Sequence, residues 1–214
     1  MTIDVSYMTH MGSDDLVVDA ARVSFSKTAD NYGPIRNEGL IAFLAREGHH
    51  HPFSHPQATF RCKAPIFVTR QLAKHQVGGT WNEESRRYIA SVPTYWAPTS
   101  LRASADNVKQ GSSNDISPRS AEFIEEYHDI CIDAVALYSK MIRSGVCPEQ
   151  ARAILPQSMV TEWVWTGSLL FWSRVYNLRI DSHTQAETRE FAALLGEQMS
   201  SLFPTSWKVL TNGK

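Results

Sequence analysis

Hydrophobic positions recur with a period of two near the start of this chain and with helical spacing through much of the remainder. Ile3, Val5 and Tyr7 alternate with polar neighbours and predict a short strand. Ser13-Asp14-Asp15 reads as the cap of an amphipathic helix through Leu16, Val17, Ala20 and Val23. A second helix is expected from about Asn37, with Leu40, Ile41, Phe43 and Leu44 inward and Gly48 as its stop. In Thr59-Phe60-Arg61-Cys62-Lys63, Phe60 and Cys62 alternate with polar groups, as in a strand with one buried face. Pro65 suits the first position of a helix carrying Gln71, Lys74 and His75, which Gly78-Gly79 would end.

Residues 89–116 hold Pro93, Pro98 and a Gly-Ser-Ser-Asn-Asp run without helical period, and read as a long connecting loop, part of it mobile. Ser117-Pro118 is expected to cap a helix of about seven turns, its inward stripe being Phe123, Tyr127, Ile130, Ala134, Leu137, Tyr138, Met141 and Ile142. Gly145 would close it, and Pro148-Glu149 would open a short helix ending before Pro156. Val160 to Val175, rich in Trp, Leu and Phe, reads as a buried helix or a subunit interface. Ser182-His183-Thr184-Gln185 has a capping-box pattern for a helix through Phe191, Leu194, Leu195 and Met199. With no repeat or linker, the expectation is one α+β domain over residues 1–214, its C-terminal half rich in helix.

Composition changes this picture little. At 214 residues, 43% hydrophobic and 20% charged, the chain belongs to the ordinary globular class. A net charge of −1 argues against a general nucleic-acid binder but leaves room for a local basic pocket. Cys62, Cys131 and Cys147 are too widely spaced for a zinc knuckle and read as reduced, buried thiols. The N-terminus lacks the pattern of a leader peptide, and no apolar run reaches about 18 residues, so a cytoplasmic protein with no membrane partner is expected.

The densest chemistry lies between Arg70 and Tyr88, where four cations, two carboxylates and His75 surround Gly78-Gly79. Such a run is either a solvated loop or a pocket for an anion that also carries a polar ring. His49, His50, His51 and His55 lack the cysteine or spaced carboxylate that would complete a zinc set, so no metal is expected and a ligand-contacting turn is preferred. Arg179 could pair with Asp181 or contact a ligand, and Arg152 is equally ambiguous. Neither a Rossmann fingerprint, a P-loop nor a nucleophile elbow is present.

Three ordered blocks resemble the flavin-dependent thymidylate synthases. One runs from Lys63-Ala64-Pro65-Ile66-Phe67-Val68 through Arg70-Gln71 and Lys74-His75-Gln76 to Asn82-Glu83-Glu84-Ser85-Arg86-Arg87-Tyr88. Gly48-His49 with Pro52-Phe53 and His55 precede it, and Pro148-Glu149, Ala151-Arg152 and Leu178-Arg179 with Asp181-Ser182-His183 come after it. The resemblance implies a homotetramer of a distinctive α+β fold, a mixed or antiparallel sheet packed with helices. It also implies methylation of dUMP to dTMP with methylenetetrahydrofolate as carbon donor, FAD as flavin cofactor and NADPH as reductant. Active sites of this family combine residues of several subunits.

Carried across, the resemblance puts Gln71, Lys74, Glu83, Ser85, Arg86, Arg87 and Arg152 around dUMP, with Arg179 facing the uracil as the catalytic cation. His49, His51, Ser54, Lys74, His75, Gln76, Ser168, Arg174 and His183 would touch FAD. Ser85, with no histidine base in its motif, is assigned binding rather than nucleophilic attack. The chain departs from the family pattern at Lys74-His75-Gln76, where Arg-His-Arg is usual, and has a spacer one residue longer with Thr80 in place of a Ser. Leu170 stands where an Arg is common and Arg174 where an Asn is, so the cation could have moved one helical turn. Alternative functions are methylation of another pyrimidine nucleotide, or binding of flavin and nucleotide without turnover.

Overall fold

The computed structural model describes residues 2–89, 91–105 and 112–211. Four strands form one antiparallel sheet in the order β1-β2-β4-β3: β1 is Asp4–Met11, β2 Gln57–Pro65, β3 Gly79–Glu83 and β4 Val160–Ser168. The class is α+β, and the sheet is wholly antiparallel. β2 follows the predicted alternation, burying Ala58, Phe60, Cys62 and Ala64 on one face. It pairs with β4 in a register that sets Cys62 opposite Trp163 and Phe60 opposite Trp165.

The segment from Val160 is therefore not a helix throughout. Its first nine residues are β4, and a helix, α6, begins only at Leu169 and runs to Arg179. β-branched and aromatic residues suit a pleated surface, and the buried face here repeats every second residue through Trp163, Trp165 and Gly167. Ser168 ends the strand and caps the helix, its Oγ accepting from the Phe171 amide at 3.2 Å. The region from Thr80 to Glu83, for which no strand was expected, is the edge strand β3, and Trp81 stacks on Trp163 with centroids 4.4 Å apart.

Helices α1 (Asp14–Arg22), α2 (Pro34–Arg46), α7 (Ala186–Leu202) and α8 (Pro204–Thr211) pack with α6 against the sheet. Ser13 caps α1 as expected, but Val23 and Tyr7 are exposed rather than inward. α2 starts at Pro34, a few residues before Asn37. α8 had no sequence signal. Its first turn is fixed from afar, the Asp14 carboxylate accepting from the amides of Thr205 and Ser206 at 2.9 Å each. In the core, Trp172 meets Phe60, Trp165 and Phe171 edge-on and donates its indole N–H to the Ala58 carbonyl at 3.1 Å.

Other helices differ from expectation in their bounds or their burial. Helix α3 spans Ile66–Leu72 with Pro65 as its N-cap, so Gln71 is on the helix while Lys74 and His75 lie on the turn after it. The C-terminal α7 starts at Ala186 with Gln185 as N-cap, not at Ser182. The short α5 (Pro148–Ala151) holds Glu149, and Cys147 just before it is exposed, while Cys62 and Cys131 are buried. The long helix α4 (Ser120–Arg143) buries only Ser120, Cys131 and Tyr138. Ile130 (67% exposed) and Leu137 (44% exposed), both in the expected inward stripe, face out, as does Ile132 (54%). The expected mobile loop falls partly on residues 106–111, outside the described residues.

Candidate active site

Arg179, the last residue of α6, turns back toward α3. Its Nε donates to Nε2 of His75 at 3.0 Å, and an Nη donates to the Gln71 carbonyl at 2.7 Å. Accepting that bond requires a neutral imidazole with its proton on Nδ1. Burial and the Arg179 charge push the His75 pKa down to about 4, so the ring is neutral at pH 7. Burial also lowers the pKa of Arg179, but a guanidinium begins so high that it stays a cation. The Gln71 side chain donates to Oε1 of Gln185 at 2.7 Å, joining α3 to the start of α7.

Gln71, Arg179 and Gln185 line a cavity of about 1090 Å³, together with Arg102, Asn177, His183 and Arg189. A nucleotide fits such a volume. Arg102 comes from the long loop and grips the Glu187 carboxylate with two bonds, 2.9 and 3.1 Å. Burial alone would raise the Glu187 carboxyl, but hydrogen bonding by Arg102 and the backbone outweighs it and leaves the pKa below its ordinary value. Sequence reasoning missed this pair, whose members lie 85 positions apart with no local pattern linking them. Asp181 accepts from the His183 backbone and contacts its Nδ1, each at 2.9 Å, while Arg179 is held by His75 and Gln71.

Ser54, Ser168 and Arg174 meet in a second cleft of about 350 Å³, walled by Val77, Gly78 and Leu170. Leu170 and Arg174 are one turn apart on α6, and both line this cleft. Gly79 and Gly167 give Phe171 its place, because a Cβ at either would lie within 2.4 Å of the ring. Gly78 has φ +92°, a backbone state that glycine adopts without strain.

The remaining expected residues line neither of these two cavities. Glu83, at the end of β3, accepts from the Thr161 hydroxyl at 2.9 Å and from the Trp81 indole at 3.3 Å. Ser85 turns its Oγ to the amide and Nε of Arg87, both at 3.3 Å. Arg86 is buried and donates to the Ser91 carbonyl at 2.6 Å, so it braces the loop behind the motif. Arg87 reaches Glu149 at 3.9 Å, and the exposed Arg152 follows α5 directly. Lys74, Gln76, His49 and His51 are exposed. His49 stands edge-on to Phe43 at 5.9 Å, and His51 opens the short helical turn that ends at Ser54. Among the described residues no group of three His, Cys, Asp or Glu side chains is arranged to hold a metal ion.

Against known proteins, residues 6–205 match the family model described as thymidylate synthase complementing protein. A flavin-dependent thymidylate synthase of Kosmotoga olearia is 35% identical over 206 residues, covering 94% of this chain and 87% of the relative. One from Thermosipho africanus is 34% identical over 186 residues, covering 85% and 79%. Among solved structures, a UMP/dUMP methylase of Streptomyces cacaoi bound with 5-Br dUMP superposes with a TM-score of 0.85 at 28% identity, covering 98% of this chain and 95% of the other. The same enzyme bound with 5-Br UMP matches equally, with a TM-score of 0.85 at 27% identity, over 99% and 94%.

Proposed function

This chain belongs to the family of flavin-dependent thymidylate synthases, and from that premise we propose that it converts dUMP to dTMP by reductive methylation. The observation that carries the reading is the guanidinium of Arg179, fixed in position at the wall of a nucleotide-sized cavity. Negative charge that develops on the uracil during reduction falls against a cation already oriented by His75 and Gln71, so no reorganisation is needed when it forms. Neutral His75 contributes geometry without adding a competing charge. Methylenetetrahydrofolate is the carbon donor and NADPH the reductant in this reading, and FAD, once reduced, supplies the hydride.

The second cleft suits part of FAD. Two serine hydroxyls, the Arg174 cation and close backbone approach at Gly78 form a donor set matched to a pyrophosphate. At about 350 Å³ the cleft holds only part of the cofactor, and Lys74, His75, Gln76, His49, His51 and His183 are its further contacts.

Lys74 adjoins His75, whose ring meets Arg179, but the dUMP roles proposed for Glu83, Ser85, Arg86, Arg87 and Arg152 need these side chains near an Arg179. A homotetramer that builds each site from several subunits would supply that proximity. The apolar side chains α4 leaves exposed, Ile130, Ile132 and Leu137, suit such an interface. Nucleotide co-substrates and reduced thiols agree with a cytoplasmic location, and no described helix is long and apolar enough to cross a membrane.

One observation favours a second reading: the Streptomyces methylase was solved with analogues of both UMP and dUMP. The purified, yellow protein should form dTMP from dUMP, methylenetetrahydrofolate and NADPH. Product from UMP alone would replace the first reading with the second. Yellow protein without product from either would mean binding without turnover, and colourless protein that binds no dUMP would refute the proposal.

A further inference from the structure

A cleft of about 630 Å³ lies between α1, the chain after it and α2, apart from both the nucleotide-sized cavity and the Arg174 cleft. Leu40 and Leu44 form its apolar floor, and Phe25 (75% exposed) and Phe43 (42% exposed) stand at its rim. Three cations gather there on one ring. The Arg22 guanidinium sits 3.7 Å from the Tyr32 centroid, the Lys27 ammonium 5.6 Å and the Arg36 guanidinium 5.7 Å. Among the described residues none of the three forms an ion pair with a carboxylate. Asp30 and Glu38 line a separate hollow that Tyr32 also borders.

Cation–π attraction offsets part of the repulsion among these charges, and an anion shared by all three would stabilise them further. The Tyr32 phenol responds to the same field, its pKa lowered by a hydrogen bond from Lys27 and by the surrounding cations despite some desolvation. Aromatic surface beside concentrated positive charge is the arrangement that recognises a flat ring carrying an anion.

We propose that this cleft binds a planar aromatic ligand ending in a compact polyanion, the ring against Phe25 and Phe43 and the anion against Arg22, Lys27 and Arg36. His49 also lines the cleft. Because His49 is a flavin contact in the proposed thymidylate synthase reaction, the ligand class is a co-substrate of that reaction, and this last step rests on that reading. Two sources share the chemistry: the phosphates of an adenine nucleotide and the glutamyl carboxylates of a folate.

The test uses the purified, FAD-loaded protein and a Lys27→Ala/Arg36→Ala double variant, both side chains being exposed. Calorimetry with 2′,5′-ADP and, separately, with p-aminobenzoyl-triglutamate reads the phosphate and carboxylate arms. One probe should bind the parent protein, weaken with added salt, and bind the variant about tenfold or more weakly, with melting temperature and flavin absorbance unchanged. Whichever probe responds identifies the source. Failure of both to bind, or equal binding to parent and variant, would overturn the proposal. A probe that binds while dUMP does not would leave the cleft standing and remove the thymidylate synthase reading instead.

Discussion

The Nε of Arg179 donates to Nε2 of His75 at 3.0 Å, across 104 positions of sequence, and the direction of that bond fixes the protonation of both side chains. The guanidinium can only donate, so the imidazole must accept, and the pair works as an oriented cation on a neutral support.

A pH dependence arises from that support. Unfolded, His75 takes up its proton near its ordinary pKa of 6.5, but folded it does so only near 4. Between those values the unfolded state binds more protons, so stability is full above about pH 6.5 and is lost as pH falls toward 4. Discounted for partial solvent exposure, the contribution is about 1–2 kcal/mol. Gln at position 75 still accepts a hydrogen bond and does not titrate, so His75→Gln should flatten the slope. Urea midpoints at pH 7 and pH 5 measure it, and an identical slope in both proteins would count against the pair.

Arg179→Ala should keep the fold and the flavin but slow dTMP formation by about 100-fold or more, the usual scale for removing an oriented charge at a reacting centre. Flavin absorbance and single-turnover product formation check both halves. A rate that does not change contradicts the role given to Arg179.

Arg174→Ala should lower FAD retention, because Arg174 brings to the second cleft the cation that Leu170 and Gln76 do not. A loss of about tenfold in affinity is expected from one charge-assisted contact. Equal flavin-to-protein absorbance ratios in the variant and the parent would sink the idea of a relocated cation.

Gly167→Ala tests the packing beneath that cleft. The added Cβ would lie 2.1 Å from the Phe171 ring, which is 2% exposed and packs edge-on against Trp165 and Trp172. Overpacking of this kind costs about 1–3 kcal/mol, read as a lower melting temperature. An unshifted melting curve would show that the ring can move.

Ile130→Asp with Leu137→Asp should break the assembly proposed for α4, because each places a charge on an apolar surface that a neighbour would cover. Light scattering should report a smaller species, and activity should fall with it if sites are shared. An unchanged mass would rule out this face as the interface.

Much of the fold was legible where a local pattern had a single outcome. Ser13 capped α1, Phe60 and Cys62 marked β2, and the apolar positions of α7 fell as spaced. Motifs likewise identified the family, since residue identity at short spacing survives without knowledge of the fold. The expected site residues could be named from the sequence, but their places could not. Arg179, Gln71 and His75 come together, Ser54, Ser168 and Arg174 meet in a second cleft, and Glu83 through Arg87 line neither cavity.

Sequence alone thus determined the chemistry the chain carries and the elements whose periodicity was unambiguous. Tertiary structure decided the rest. Val160 to Ser168 is a strand because β2 and β3 pair with it from both sides, and an apolar run of that length satisfies either a helix or a sheet until partners exist. The Arg102–Glu187 pair and the Arg179–His75 bond arise the same way, from contacts between residues far apart in sequence. Such contacts gain their energy only once the chain has closed the loops between them, so no local pattern records them.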